Sequence, residues 1–443
     1  MRFFVLLTMM LALGQLSAQS SQPSKIPLKG VESIAMPSID NEELMNAELR
    51  RRGPGVAPRF AHNFPVDITP QTHGTWTDLG QGEALWRLKI QSEGAHSLNL
   101  GFVHYFMPEG GSMLLYDPKQ KRVRGPFTLS DNEDHAQFWS PLVEGDELII
   151  EVRLPVSQKS KLGLHLSSVN HDFIGFAQAV SGSCNLDVIC GAADGWDMVD
   201  EYRDIIRSVA VYGLGGGTLC TGFLFNNTAN DCAPLFMTAD HCGLTPGNAP
   251  SVVVYWNFQN STCRQPNSGV SGGTGDGTLN QFNSGAIYRA GWFDSDFALI
   301  ELDDEVDPDY EPFMAGWDAT STATGDSVIC VHHPGTDEKR ISFEFDPTYI
   351  GDDSGNPNPN ENFVVVGDWD IGTTEGGSSG APLFNKQKQV IGQLFGGFAA
   401  CGNNLFDAYG WIHRSWEGGG TPGTRLKDWL DPGNTGQMSV QGR

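Results

Sequence analysis

All eight cysteines of this 443-residue chain lie at or after Cys184. The charge divides at about the same place. Residues 1–178 hold 16 Lys and Arg against 19 Asp and Glu, while residues 179–443 hold 12 against 34. Two parts of different chemistry are therefore joined near residue 178. The length suits two to four domains. The 54 glycines favour many turns and an all-β fold. A net charge of −25 makes nucleic acid a poor partner.

Residues 1–18 read as a secretory signal. Arg2 supplies the positive start, Phe3 to Leu13 the apolar core, and Ser17-Ala18 a small-residue cleavage site before Gln19. The apolar run is too short for a bilayer anchor, and no other stretch approaches that length, so no membrane partner is expected. Export implies an oxidising environment and four disulfides, for which spacing alone allows 105 pairings. Residues 19–80 read as loosely ordered, with Pro, Ser and the basic run Arg50-Arg51-Arg52. Alternating strands follow, such as Leu85 to Ile90 and Leu148 to Val152, separated by turns such as Pro108-Glu109-Gly110-Gly111. This is a small β-sandwich pattern with no catalytic cluster. Its place between a signal and a hydrolase-like region suits a propeptide over residues 19–178. The rival is a permanent carbohydrate- or surface-binding module.

The second part, residues 179–443, carries the chemistry. In Glu375-Gly376-Gly377-Ser378-Ser379-Gly380-Ala381-Pro382, glycines let the backbone turn sharply and bring N–H groups close to a substrate carbonyl. A serine there needs a base. His241 follows the apolar run Pro234-Leu235-Phe236-Met237 and is pinned by its neighbour Cys242. Asp296 directly precedes the apolar run Phe297 to Ile300, where its carboxylate can take an imidazole N–H and fix the tautomer. The order His241, Asp296, Ser379 is that of chymotrypsin rather than of subtilisin or the α/β-hydrolases. Ser378 fits a G-x-S-x-G elbow, but only Asp407 and His413, crowded together, lie downstream, so that reading is rejected. His241-Cys242 and His332-His333 lack a four-ligand spacing, and nothing supports a calcium site around Asp276. No metal and no cofactor are expected.

Many spaced motifs accompany these residues. They include Ser183-Cys184-Asn185-Leu186-Asp187-Val188, Thr238-Ala239-Asp240-His241-Cys242 and Asn260-Ser261-Thr262-Cys263-Arg264. Later come Ser295-Asp296-Phe297, His332-His333-Pro334 with Glu338-Lys339-Arg340-Ile341-Ser342, Asp407-Ala408-Tyr409-Gly410 and Asp428-Trp429-Leu430-Asp431-Pro432. On these residues 179–443 resemble the secreted bacterial lysyl endopeptidases, a branch of the trypsin/chymotrypsin-like serine proteases. The resemblance implies two β-barrels with the active site between them. His241 would be the base, Asp296 its orienting acid and Ser379 the nucleophile, with the N–H groups of Gly377 and Ser379 as oxyanion hole. Asp407 would face the substrate Lys in its pocket. His332 and His333 would be structural parts of a strand.

The resemblance also proposes the disulfides Cys184–Cys401, Cys190–Cys263 and Cys220–Cys242. Cys232 and Cys330 have no counterpart and are expected to pair with each other. Phe395 stands where a lysyl endopeptidase carries a His beside the active site. Ser378 replaces the Asp with which trypsin-like zymogens bind a new N-terminus, so activation is expected without that ion pair. The expected mature start follows Gln178, and the nearest upstream Lys is Lys161, so self-processing at Lys needs trimming or a second protease. The reading is thus a secreted, monomeric serine endopeptidase acting on proteins and peptides after Lys, with Arg as a second cation of similar reach. The alternatives are the same chemistry with another preference, or an idle homologue that binds proteins.

Overall fold

The computed structural model describes residues 21–51, 53–322 and 324–443, so the expected signal segment lies outside the described residues. The described residues are mostly β, and their strands form four sheets. Two belong to the N-terminal unit. One runs in the order Ser33–Ala35, Glu83–Gln91, Glu147–Pro155, Ser112–Tyr116, Val123–Phe127, with Thr75–Gly80 added on Glu83–Gln91. The other runs Ala61–Ile68, Gly163–Asp172, Ser97–Phe106, Phe138–Trp139, with Val143–Glu144 added on Ser97–Phe106. Period-two alternation aims Leu148, Ile150, Val152 and Leu154 at one face, where they share a core with Leu98, Leu100 and Phe102 of the other sheet. Shared burial of this kind makes the pair a sandwich.

The described residues from 21 to 80 differ from the loose order expected of 19–80. Asn41–Arg51 is an α-helix, started by Asp40, whose Oδ1 accepts the N–H groups of Glu42 and Glu43 at 2.9 and 3.2 Å. Acidic residues in its first turn and basic ones in its last suit the helix dipole. Buried Glu48 binds the Arg51 and Arg59 guanidinium groups, which fixes the helix to the following chain.

The C-terminal region holds the other two sheets. The seven-stranded sheet runs Phe282–Ser284, Val253–Tyr255, Val209–Leu214, Thr218–Phe225, Leu235–Ala239, Phe297–Leu302, Ala286–Trp292. The ten-stranded sheet contains Arg340–Glu344, Val328–His332, Pro382–Phe384, Gln389–Gly397 and Asp407–Trp411 in that order. Its strands and those of the seven-stranded sheet share the largest apolar cluster, which includes Phe223, Met237, Leu299, Val331, Ile341 and Val390. The N-terminal unit seals against this region through a second cluster in which Phe60, Leu142 and Phe176 meet Val211, Tyr255 and Phe258.

Three disulfides join Cys184 to Cys401, Cys190 to Cys263 and Cys220 to Cys242. The expected Cys232–Cys330 pair is not formed. Cys232 sits at the surface in the connection between Thr218–Phe225 and Leu235–Ala239, at a φ of +63°. Cys330 lies inside the ten-stranded sheet, packed with Val364, Leu383 and Tyr409. Burial pushes its thiol far above the ordinary range, so it is an inert core residue. Alkylation of the native protein should therefore label Cys232 alone, and Cys330 only after unfolding. Peptide mapping without reduction would read both sites, and a Cys232–Cys330 peptide would contradict the structure.

Candidate active site

Strand Leu235–Ala239 is buried throughout and delivers the turn Asp240–Cys242 to the edge of the core. The Cys220–Cys242 disulfide ties this turn to the neighbouring strand. His241 is then held twice by one carboxylate. Its backbone N–H donates to Asp296 Oδ1 at 2.8 Å, and its Nδ1 lies 2.8 Å from Asp296 Oδ2. With a carboxylate acceptor there, the neutral ring keeps its proton on Nδ1 and leaves Nε2 bare. Nε2 is buried and has no hydrogen-bond partner among the described residues.

Asp296 adopts a left-handed backbone, φ +52°, between the turn Phe293–Ser295 and strand Phe297–Leu302. Such a conformation costs a side-chain-bearing residue roughly 1–2 kcal/mol. Gln393 of the ten-stranded sheet holds it in place. Its Nε2 donates to the carbonyls of Ser295 and Asp296 at 2.7 and 3.0 Å, while the Asp240 N–H donates to the Asp296 carbonyl at 2.9 Å.

Ser379 lies on a turn that needs glycine at two points. Gly377 has φ +97° and Gly380 φ +84°, and a Cβ on Gly380 would come within 2.3 Å of the Thr221 carbonyl oxygen. Thr221 stitches this turn to the seven-stranded sheet. Its N–H donates to the Ser379 carbonyl at 2.9 Å, and its Oγ1 donates to the Gly377 carbonyl at 2.8 Å. Thr238, three residues before His241, donates its hydroxyl to the Thr221 carbonyl at 2.8 Å. The turn is therefore packed on strand Leu235–Ala239, which leads to His241, and on its neighbour Thr218–Phe225. The amide N–H groups of Gly377 and Ser379 have no acceptor among the described residues.

Asp407 begins strand Asp407–Trp411 and is 1 % exposed. Its Oδ2 accepts from Trp369 Nε1 at 2.8 Å and from Thr374 Oγ1 at 2.7 Å, whereas Oδ1 is buried without a partner. Burial pushes the carboxyl up to about 6, opposed by the hydrogen bonds from Trp369 and Thr374 and by the Ala399 backbone N–H. An unfilled buried carboxylate oxygen is a receptor for a cation. Phe395 packs its ring edge-on against His241, with ring centroids 5.5 Å apart, and also meets Phe363 at 5.7 Å.

A stretch of the N-terminal unit crosses this region. Gly55 sits over Phe395 so closely that a Cβ would come within 3.0 Å of the ring, and Pro54 lies against Gly396. Further on, the Leu219 N–H donates to the Pro58 carbonyl at 3.0 Å, Arg59 pairs antiparallel with Thr218, and the Phe60 N–H donates to the Gly217 carbonyl at 2.8 Å. No sequence pattern points to these contacts, nor to Thr221, Gln393, Trp369 and Thr374. Each depends on pairing between distant segments, and no local pattern marks it.

Residues 178–410 match the family model described as lysyl endopeptidase, C-terminal domain, and residues 61–173 match the model of the lysyl endopeptidase N-terminal domain. A lysyl endopeptidase of Pseudomonas aeruginosa is 27% identical over 350 residues, covering 74% of this chain and 72% of that one. Among solved structures, the HtrA-type protease AlgW with tripeptide overlaps 52% of this chain and 63% of its own, at 13% identity and TM-score 0.34. The Rv3671c protease from M. tuberculosis, active form, overlaps 50% of this chain and 82% of its own, at 18% identity and TM-score 0.29. Overlaps this slight say nothing of this chain's chemistry.

Thr221→Val keeps the shape and the N–H but removes Oγ1. It leaves the Gly377 carbonyl and the His333 N–H, which donates to Oγ1 at 3.2 Å, without partners in the core. Stranded buried polar groups cost about 1–3 kcal/mol. Thermal unfolding should accordingly show a midpoint lowered by roughly 3–8 °C, and an unchanged midpoint would refute the stitching role.

Proposed function

The chain belongs to the lysyl endopeptidase family and is a serine protease, and from that premise we propose that it cuts peptide bonds after Lys with His241, Asp296 and Ser379. The observation that carries this reading is the double grip of Asp296 on His241, which leaves a bare Nε2 beside the strands that hold the Ser379 turn. In the proposed reaction His241 Nε2 takes the Ser379 proton as Oγ attacks the scissile carbonyl, then passes it to the leaving amine. Asp296 stabilises the imidazolium formed on the way. The free N–H groups of Gly377 and Ser379 receive the oxyanion, a role worth roughly 3–4 kcal/mol per donor. Water then repeats the sequence on the acyl-enzyme. The open sheets of the C-terminal region are read as the two barrels that carry these parts.

Asp407 is proposed as the selector. Trp369 and Thr374 occupy Oδ2, and Oδ1 is left for a substrate ammonium. The same carboxylate would accept Arg as a second cation.

The chain is proposed to be secreted and made latent by residues 19–178. Residues 54–60 contain no Lys and lie against Phe395 and Thr218, and in this reading they block the approach of a substrate strand. Gln178 is exposed and Val180 is 47% exposed, which suits processing there. Directly downstream, Ser181 binds Asp337 through its N–H and Oγ, and the Gly182 N–H donates to Glu375 Oε1 at 2.7 Å. That segment is seated before any cut, in keeping with activation by uncovering rather than by a new N-terminal ion pair. Three disulfides suit an extracellular setting.

Digestion of a denatured protein mixture by the processed enzyme, read by mass spectrometry, should give new ends after Lys with a minority after Arg. Ser379→Ala should lower kcat at least about 10⁴-fold, and cuts that survive it would remove Ser379 from the mechanism. Asp407→Asn should lower kcat/KM for Lys substrates about 10³-fold. Only the ionised carboxylate attracts an ammonium. With its carboxyl raised to about 6, binding of an n-alkylammonium inhibitor should be full above that pH and weaken roughly tenfold per unit below it. Affinity flat from pH 4 to 8 would take Asp407 out of the pocket.

A further inference from the structure

Under the Ser379 turn lies an imidazole that the proposed chemistry does not use. Ser378, between the two amides assigned to the oxyanion, points its side chain inward and is fully buried. Its Oγ lies 2.8 Å from His332 Nδ1 and accepts the Glu375 N–H at 3.2 Å. His332 Nε2 lies 3.0 Å from Ser342 Oγ, which donates to the Thr373 carbonyl at 3.2 Å.

One proton arrangement gives every group in this row a partner. The Thr373 carbonyl can only accept, so the Ser342 hydroxyl proton points to it. Ser342 Oγ then accepts from His332, which places the ring proton on Nε2 and leaves Nδ1 bare. Ser378 donates its hydroxyl proton to Nδ1, and its oxygen stays free for the Glu375 N–H. The row needs a neutral ring. Burial holds the imidazole far down, to about 3, and the Arg340 charge acts in the same direction.

We propose that His332 is a positioning residue for the oxyanion loop, acting through Ser378. The inference rests on the assignment of Ser379 and its neighbours. The loop carries glycine at 376 and 377 and has little stiffness of its own. Thr221 fixes its carbonyls from the seven-stranded sheet, at Gly377 and Ser379. His332 fixes it from the ten-stranded sheet, through the one side chain between the two donors. Together they set where the amides of Gly377 and Ser379 point.

The test uses the processed enzyme and the variants Ser378→Ala, His332→Phe and their double. Displacing an oxyanion donor by a fraction of an ångström should lower kcat about 10- to 100-fold, with KM changed less than about threefold. Because both substitutions break the same row, the double variant should be no slower than the worse single. ¹⁵N NMR of the histidines should show His332 as the neutral Nε2–H tautomer throughout pH 5 to 8. Should either core variant fail to fold, Ser342→Ala removes only the far bond and should lower kcat about three- to tenfold. Three results overturn the proposal: singles within about twofold of the parent kcat whatever their melting temperatures, losses that multiply in the double, or an Nδ1–H tautomer. Ser379→Ala separates the two levels. If it is inactive while the row variants are not slowed, only the positioning role fails; if it stays active, the serine assignment fails first.

Discussion

Thr221 is the point on which the two halves of the catalytic region depend. One residue of the seven-stranded sheet donates twice to the turn that carries Ser379, through its amide and its hydroxyl, and its own carbonyl is held by Thr238. Gly380 makes that approach possible, since any side chain there would strike the Thr221 carbonyl and the Thr238 hydroxyl. Gln393 makes the reciprocal contact, from the ten-stranded sheet to the backbone of Ser295 and Asp296. Each sheet thus holds the other's functional turn. Neither turn gains rigidity from its own sequence, because one is glycine-rich and the other sits in a left-handed conformation.

The same layout explains what was legible in the sequence. A His at the end of an apolar strand with a Cys beside it, and an Asp just before another such strand, can be recognised locally. The structure brings those two side chains to 2.8 Å. The glycines around Ser379 can also be read locally, as the cost of a close backbone approach. The partners that aim these groups cannot be read this way. Thr221 and Gly377 are 156 residues apart, and Asp407 meets Thr374 and Trp369 only through sheet pairing. The Asn41–Arg51 helix was hidden by its charged composition, which resembles that of a loose linker until Asp40 and Glu48 are seen at work. Cysteine spacing carries no distance, and Cys232 and Cys330 sit in different environments, one at the surface and one within a core.

The N-terminal unit adds a second layer to the site. It shares an apolar cluster with the catalytic region through Phe60 and Phe176, and from there residues 54–60 extend past Leu219 toward Phe395. Beside residues 54–60, His241 is gripped by Asp296, the Ser379 turn is tethered by Thr221, and the segment from Ser181 is docked on Asp337 and Glu375. The latency proposed for the uncut chain then needs no distorted active site. In the proposed reading a cover over an assembled site is enough, and activation is its removal.

The most direct measurement is fluorophosphonate labelling of the uncut and processed chains, with the modified residue located by mass spectrometry. One label per processed molecule is expected, on Ser379, with a much slower reaction in the uncut chain. A label on Ser378, no label after correct processing, or equal rates before and after it would contradict Ser379 as the covered nucleophile.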